Sequence, residues 1–358
     1  MTDMVYLPAF ATASDPFIKM ALAGGMIIML LSLLFSFQVL LISGLRSLGE
    51  KRKAKLARQW RPIFSEIMEK APENLPVLGS ANVTDFLILW NHYHGFLKGN
   101  ARENLNLLLR RLRLDKDAIK MLRGRSLKRK FVGIMTLGNL RDSYVWNDLC
   151  RMLSHKNNHL SLAAAEAMVQ IRPREAVQAI SDSIRLRNDW PDSRIVCILK
   201  KTDANYFSSS LADAVFKADD KSRPRLIKLS SIALNETIRG IVKKYLNPSA
   251  PEEVIAACLH ILKHPEVIED VRRFTAHPSP LIRLKAAAVL GRIGEKEDMD
   301  VLTSLLSDKQ WWVRYHAARS LVSFPFVTQA ELKAISNQCK DRYGRDMLNR
   351  MIAKAEIS

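Results

Sequence analysis

A short segment that recurs at a fixed interval is the feature that most constrains how this chain of 358 residues can fold. The recurring segments are LKRKFVGIMTLGNL (127–140), LSLAAAEAMVQI (160–171), VIAACLHILKH (254–264), IRLKAAAVLGRI (282–293) and VRYHAARSLVSF (313–324). The interval from Gly138 to Val169 equals that from Gly291 to Val322. Four segments carry alanine at the equivalent position, namely Ala165, Ala256, Ala287 and Ala318. Small residues at a fixed period predict helices that approach one another closely in a stack.

Second amphipathic segments separate these copies: YVWNDLCRML, REAVQAISDSI, EVIEDVRRF and MDVLTSLL. The repeating unit is therefore predicted to be a pair of antiparallel helices joined by short turns. Hydrophobic residues make up 48% of the chain and aromatic residues only 7%, which favours an aliphatic helical core. The fold class expected is all-α, without a disordered or disulfide framework.

This pattern resembles HEAT repeats, an armadillo-type helical fold, in the short form also seen in phycobilin-lyase-like proteins. The resemblance is most specific at 277–324, where HPSPLIRLKAAAVLGRIG is followed by SDKQWWVRYHAARSL, and it extends to 126–180. It implies an α-solenoid whose ends and concave groove bind partners, and a scaffold rather than an enzyme.

The resemblance also implies a ladder of stacked aspartate and arginine side chains. Its positions in three repeats are occupied by Asp308 and Arg314, by His277 and Arg283, and by His155 and Ser161. Histidine therefore replaces aspartate twice and serine replaces arginine once. We expect an incomplete ladder.

An uncharged run extends from Met20 to Leu45. It exceeds the roughly 20 helical residues that a bilayer requires. A cleaved signal peptide is the alternative, but the run is too long for one, and Asp3 and Asp15 precede it. The run predicts a single uncleaved transmembrane helix ahead of the repeats.

Basic residues are distributed unequally about this run. Lys19 is the only one before it, whereas Arg46, Lys51, Arg52, Lys53, Lys55, Arg58 and Arg61 follow it closely. Because basic flanks stay on the cytoplasmic side, the C-terminal part is predicted to be cytoplasmic. The predicted location is the inner (plasma) membrane of a bacterial cell.

Small residues within the run share one helical face: Ala21, Gly25, Ser32 and Ser36. Such a face permits close contact with another transmembrane helix, from a partner or a second copy. The alternative is that these residues are ordinary constituents of a span.

The segment after the run has an amphipathic pattern formed by Leu56, Trp60, Ile63 and Ile67. Its opposite face is basic and is predicted to contact anionic lipid headgroups. Pro62 is expected to kink or restart this helix. A break or linker is expected at Pro72, Pro76 and Gly79.

The densest charge lies in residues 110–130, where ten basic residues against two aspartates give a net charge of +8. The candidate partner-binding residues are Arg110, Arg111, Arg113, Lys120, Arg123, Arg125, Lys128, Arg129 and Lys130. They could form a solvated basic face, or bind an acidic protein, anionic lipid or nucleic acid. Nucleic acid is disfavoured because no aromatic residues cluster beside the charge.

Trp311 and Trp312 are adjacent at the start of a repeat helix. We expect one of them to pack in the core, and Trp312 is a further candidate for partner binding because exposed tryptophans often anchor interfaces.

Known catalytic motifs are missing from the sequence. It has no Gly-rich phosphate loop, GxSxG elbow or HExxH motif. The four cysteines form no CxxC pair, and His260 and His264, one helical turn apart, have no third ligand at an informative spacing. We therefore assign no catalytic, cofactor-binding or metal-binding residue.

These features predict six regions: an external N-terminus (1–19), a transmembrane helix (20–45), a basic juxtamembrane helix and linker (46–80), a helical cap (84–125), HEAT-like repeats (126–328) and a C-terminal capping helix (329–358). The function predicted is a membrane-anchored scaffold or adaptor for protein partners, with envelope polysaccharide or signalling machinery as possible settings. A membrane-tethered nucleic-acid-binding protein and a bilin-lyase-like enzyme are the alternatives.

Overall fold

A computed structural model of the protein describes residues 16–67 and 75–357. Within these ranges every regular element is a helix, which confirms the all-α prediction. The chain divides into two compact units, residues 1–114 and 115–358. Most of the predicted external N-terminus, and Pro72 of the predicted linker, lie outside the described residues.

The first unit contains helices α1 (Pro16–Glu66), α2 (Val83–Phe96) and α3 (Gly99–Arg111). Helix α1 is continuous over 51 residues and includes Pro62, so the expected restart at this proline is wrong. Proline removes one backbone hydrogen bond of the helix. Trp60 and Phe64, on either side of it, are each 1% exposed, and their burial holds the helix together across this position.

The C-terminal part of α1 packs against α2 through aromatic side chains. The ring of Trp60 lies 4.6 Å from that of Phe86, and the ring of Phe64 stacks on Tyr93 at 4.5 Å. Of the predicted apolar row, Leu56, Trp60 and Ile67 are buried, whereas Ile63 is half-buried. The row is therefore used for packing within the unit.

The second unit consists of sixteen further α-helices within the described residues: α4 (Leu114–Arg123), α5 (Leu127–Asn139), α6 (Trp146–Leu153), α7 (Asn158–Ile171), α8 (Pro173–Leu186), α9 (Asp192–Leu199), α10 (Ala204–Lys217), α11 (Arg223–Leu229), α12 (Asn235–Tyr245), α13 (Glu252–Ile261), α14 (Ile268–Phe274), α15 (Pro280–Ile293), α16 (Asp298–Ser304), α17 (Trp311–Val322), α18 (Gln329–Gln338) and α19 (Arg342–Ile357). The C-terminal segment that was expected to form one capping helix thus contains two, α18 and α19.

These helices alternate between two layers. Helix α5 packs on α7 and α7 on α9, while α11, α13, α15, α17 and α19 pack on one another in that order. We call α5, α7, α9, α11, α13, α15, α17 and α19 the odd layer, and the helices that alternate with them from α6 to α18 the even layer. In the even layer, α8 packs on α6 and α10, and α10 packs on α12. This is the solenoid-like arrangement of helix pairs that the recurrence predicts.

Two glycines bring neighbouring odd-layer helices into close contact. A Cβ atom on Gly138 would lie 2.6 Å from the Cβ of Ala167, and one on Gly291 would collide with Ser320. The two pairs have the same separation in the sequence, so the same contact occurs in two repeats. Since real carbon atoms do not approach this closely, glycine is required at both positions.

The ladder of the repeats joins successive turns. Arg283 donates to the carboxylate of Asp308, from Nε to Oδ2 at 2.7 Å and from Nη2 to Oδ1 at 2.9 Å. Arg314 instead donates to the backbone oxygen of Asp308 at 2.7 Å. Arginine and aspartate therefore pair between adjacent repeats and not within one.

The histidines at aspartate positions take over one role of the missing carboxylate. Asp308 Oδ1 accepts from the amide of Gln310 at 2.8 Å, and His277 Nδ1 accepts from the amide of Ser279 at 3.1 Å. His155 Nδ1 likewise accepts from the amide two residues later, at 3.0 Å. Where serine replaces arginine, Ser161 Oγ accepts from Nε1 of the buried Trp190 at 2.8 Å. The incomplete ladder is thus compensated locally.

Candidate partner-binding site

The predicted basic segment is distributed over several elements. Arg110, Arg111 and Arg113 belong to the first unit, whereas the remaining candidates lie in the second, on α4, in the following turn and at the start of α5: Lys120, Arg123, Arg125, Lys128, Arg129 and Lys130. Arg123 is tied to the buried Asp148, from Nε at 3.1 Å and from Nη2 at 2.9 Å. Lys120 pairs with Asp117 at 3.4 Å. Arg123 therefore links α4 to α6, and partner binding by this segment stays a prediction.

The candidate transmembrane contact residues Gly25, Ser32 and Ser36 are exposed on α1. Ser32 Oγ donates to the backbone oxygen of Ile28 at 2.8 Å, which satisfies the hydroxyl within the helix. The side chain of Ala21 lies outside the described residues. A helix contact at this face stays a prediction.

Trp311 and Trp312 are both on the surface, with 45% and 61% of their side chains exposed. The expectation that one of them fills the core is wrong, because Val313 occupies the core position next to them and is fully buried. Trp311 stacks on Tyr315 with ring centroids 5.4 Å apart. The ring of Trp312 contacts that of Trp311 edge-on, with the ring centroids 4.5 Å apart, and Trp312 is the more exposed of the two.

Trp312 begins a surface row that continues along α17 at helical spacing and has a counterpart on α15. The row on α17 is Trp312, His316, Arg319 and Ser323, and the row at the equivalent positions of α15, one repeat earlier, is Leu281, Lys285, Ala288 and Arg292. The two helices pack side by side in the odd layer. We call these eight residues the odd-layer groove.

A cavity of about 440 Å³ lies in the groove. Small residues line part of it, including Ala288, Gly291 and Ser320. The basic side chains of Arg292, His316 and Arg319 line it as well. A recess lined by basic side chains thus lies where α15 and α17 are in close contact at Gly291.

Comparison with known families identifies this part of the chain. A family model described as HEAT repeats matches residues 241–324. These residues are HEAT repeats. The match includes every residue of the odd-layer groove and confirms the predicted repeat type. No curated protein sequence matches the chain.

The basic side chains of these HEAT repeats raise one another's electrostatic energy. The pKa of His316 is lowered by burial and by the positive charges of Arg319 and Lys285. The pKa of Lys285 is lowered by burial and by Lys228 of α11. Among the described residues, no carboxylate lies within ion-pair distance of Lys285, His316 or Arg319. Positive charge is concentrated here without an internal partner, which favours an anionic ligand.

An exposed apolar row borders the cations of the HEAT repeats. Leu281, Trp312 and Tyr343 recur at the repeat interval on α15, α17 and α19. Their side chains are 42%, 61% and 69% exposed. A row of exposed apolar side chains is a candidate interaction surface.

The sequence analysis predicted only Trp312 of the groove residues, because the basic residues of the groove form no continuous run of charge. The four charged or titratable residues are separated in sequence and belong to two helices: Lys285, Arg292, His316 and Arg319. The available signal was the recurrence itself, which places Lys285 and His316 at the same position of successive repeats.

The described residues include no group of three histidine, cysteine or acidic side chains placed to hold a metal ion. Cys258 is buried, which raises the pKa of its thiol to about 12. It therefore packs as an apolar side chain, whereas Cys197 is exposed. Among the described residues around the groove, no nucleophile is arranged with a general base.

Proposed function

We propose that the protein is a membrane-anchored adaptor whose HEAT repeats bind a protein partner on the cytoplasmic side of a bacterial inner membrane. HEAT repeats form a helical scaffold capable of protein interaction. The observation that carries the anchor is helix α1. Its residues Ala23–Ser43 are long and apolar enough to cross a membrane, and none of this stretch is buried within the protein.

The structure of α1 supports an anchor over a packed core helix. The apolar stretch is exposed, whereas the same helix becomes buried from Leu56 onward against α2. If α1 were a core helix of a soluble protein, its apolar stretch would be the buried part. The exposed cations between the two parts, including Lys51, Lys53 and Lys55, suit the headgroups of anionic lipids on the cytoplasmic face.

Membrane fractionation of the full chain tests the anchor. We expect the wild-type protein to stay in the membrane pellet after an alkaline wash. Leu30→Lys combined with Leu34→Lys should release it, because charge at the centre of a span costs about 3 kcal/mol per residue. The matched control, Leu30→Val with Leu34→Val, should remain in the pellet. Release of the wild-type protein by the wash would exclude a transmembrane anchor.

Affinity purification from gently solubilised membranes tests the adaptor role. After nuclease treatment and at moderate salt, we expect a protein partner in a fixed ratio to the full chain. Recovery of nucleic acid alone, lost as the salt is raised, would contradict the proposal, because phosphate binding weakens steeply with salt.

A further inference from the structure

We infer that the odd-layer groove receives an acidic segment of the protein partner, with carboxylates at the cations and apolar side chains on the Leu281–Trp312 row. This inference rests on the proposed function and names the chemistry of the partner. No residue of the groove is part of the basic segment 110–130 that the sequence singles out.

Positive charge without a carboxylate partner surrounds the recess. The guanidinium groups of Arg292 and Arg319 line the recess together with His316. The charge of Lys285, on the neighbouring helix, acts on His316 as well. Arg292 uses one hydrogen bond on the backbone oxygen of Leu262, which fixes its position without neutralising it. A carboxylate in the groove would thus form the ion pairs that the described residues do not supply.

The surface beside the cations is apolar. Leu281 is aliphatic and 42% exposed, and Trp312 at the equivalent position is 61% exposed. A ligand that covers this row must carry apolar groups next to its negative charges. An acidic amphipathic peptide segment has both, whereas an inorganic anion has only the charge.

The exposed row suits a peptide better than a nucleic-acid strand. Strands without sequence preference bind by stacking successive bases on open aromatic faces. Leu281 has no aromatic face, and the guanidinium of Arg314 lies over the ring of Tyr343 at 5.5 Å. Trp311 is already stacked on Tyr315. The row therefore suits aliphatic and aromatic side chains of a protein better than successive bases.

The inference is tested by photo-crosslinking in the full chain within its native membranes. A photoreactive phenylalanine analogue replaces Ser323, an exposed residue that lines the recess. The cross-linked product is then identified by mass spectrometry. We expect a protein segment with a net negative charge.

Charge reversal makes the test specific to the groove. Lys285→Glu with Arg319→Glu should reduce the cross-linking yield about tenfold or more, as for other interfacial charges. The matched control is Lys243→Glu, an exposed lysine of α12 in the even layer, which should leave the yield unchanged. Circular dichroism verifies that the double variant folds; if it does not, Lys285→Gln with Arg319→Gln replaces it, and the yield should still fall several-fold.

Cross-links to nucleic acid only, to lipid only, to a segment without net negative charge, or to nothing would overturn the inference. An acidic segment whose yield is insensitive to both double variants would also overturn it. In each of these cases the proposed function still stands if the full chain remains membrane-bound and retains a protein partner. Absence of any protein partner in the affinity purification would instead refute the adaptor role itself.

Discussion

The two helix layers of the HEAT repeats handle charge differently. In the odd layer, α11, α13, α15 and α17 carry eight Lys or Arg residues against two Glu, whereas α12, α14 and α16 of the even layer carry five basic and five acidic residues. In the even layer, Arg272 donates from Nε to Asp298 Oδ1 at 2.6 Å and from Nη2 to Glu295 Oε2 at 2.8 Å. These bonds, that to Asp298 above all, raise the pKa of Arg272.

The even layer thus uses charges such as Arg272 and Asp298 to join elements of the repeats, whereas Lys285, Arg292 and Arg319 of the odd layer have no carboxylate partner among the described residues. Four other arginines of the odd layer are bound within the fold. Arg283 and Arg314 bind the turn at Asp308, and Arg223 and Arg225 of α11 pair with Asp220 and Asp192. Substitutions should therefore separate the layers: even-layer charges affect stability, and groove charges affect binding.

The largest effect is expected at Asp298, which is fully buried and paired with Arg272. Asp298→Ala should lower the free energy of unfolding by about 3 to 5 kcal/mol, because it removes a buried carboxylate that accepts from Arg272 and from the amide of Glu295. Urea unfolding of the full chain in detergent measures the change. Asp300→Ala, an exposed aspartate of the same helix, is the control and should change stability by less than about 0.5 kcal/mol. Equal effects at the two positions would contradict the assignment.

An intermediate effect is expected from one substitution at two glycines. Gly291→Ala in the odd layer should destabilise the protein by about 1 to 3 kcal/mol, because the added methyl group collides with Ser320. Gly240→Ala in α12 of the even layer has open space around it and should stabilise by about 0.5 to 1 kcal/mol, since alanine favours the helix. Thermal unfolding shows whether each variant is stabilised or destabilised. Destabilisation of both would show that the close contact at Gly291 does not account for the effect.

A smaller effect is expected from pH. Burial and the charges of Arg319 on its own helix and Lys285 on α15 lower the folded-state pKa of His316 below its usual 6.5. The unfolded chain then binds more protons as pH falls through about 6.5, so stability should decrease from neutral toward acidic pH. His316→Gln should reduce this decrease. Urea unfolding at pH 5 and pH 8 measures how much the free energy of unfolding changes with pH in each protein. The same change in both proteins would contradict the lowered pKa of His316.

The smallest effect is expected from neutralising the groove. Lys285→Gln and Arg319→Gln should each change the free energy of unfolding by less than about 0.5 kcal/mol, because neither residue has an internal carboxylate partner to lose among the described residues. The Lys285 variant should tend toward stabilisation, since Lys228 repels the native charge. A loss comparable to that at Asp298 would show that these cations hold the fold together.

Local patterns were sufficient to predict the repeats and the apolar helix. The constant period depends on each repeat burying the same positions, so Ala165, Ala287 and Ala318 are all buried where the pattern places them. The apolar stretch of α1 was readable for a similar reason, because membrane length and hydropathy are properties of one continuous segment. Its orientation and contacts stay predictions.

Contacts between distant residues were not predictable in the same way. Pro62 was expected to kink or restart a helix that burial of Trp60 and Phe64 against α2 keeps continuous. Trp311 and Trp312 were ambiguous because an adjacent pair cannot show which residue faces the core, and Val313 took that place. The basic segment 110–130 drew attention by its density, although Arg123 there is bound to Asp148, 25 residues later in the chain.

The sequence by itself determined the helical class, the recurring pairs and the position of the apolar helix, because these depend on periodicity and composition along one segment. Only the tertiary structure decided which charges are paired. Arg283 meets Asp308 across 25 residues, while Lys285, on the same turn of α15, has no carboxylate partner among the described residues. Neighbouring positions on one helix turn point in different directions, and only the packing of α15 on α17 determines what each side chain meets.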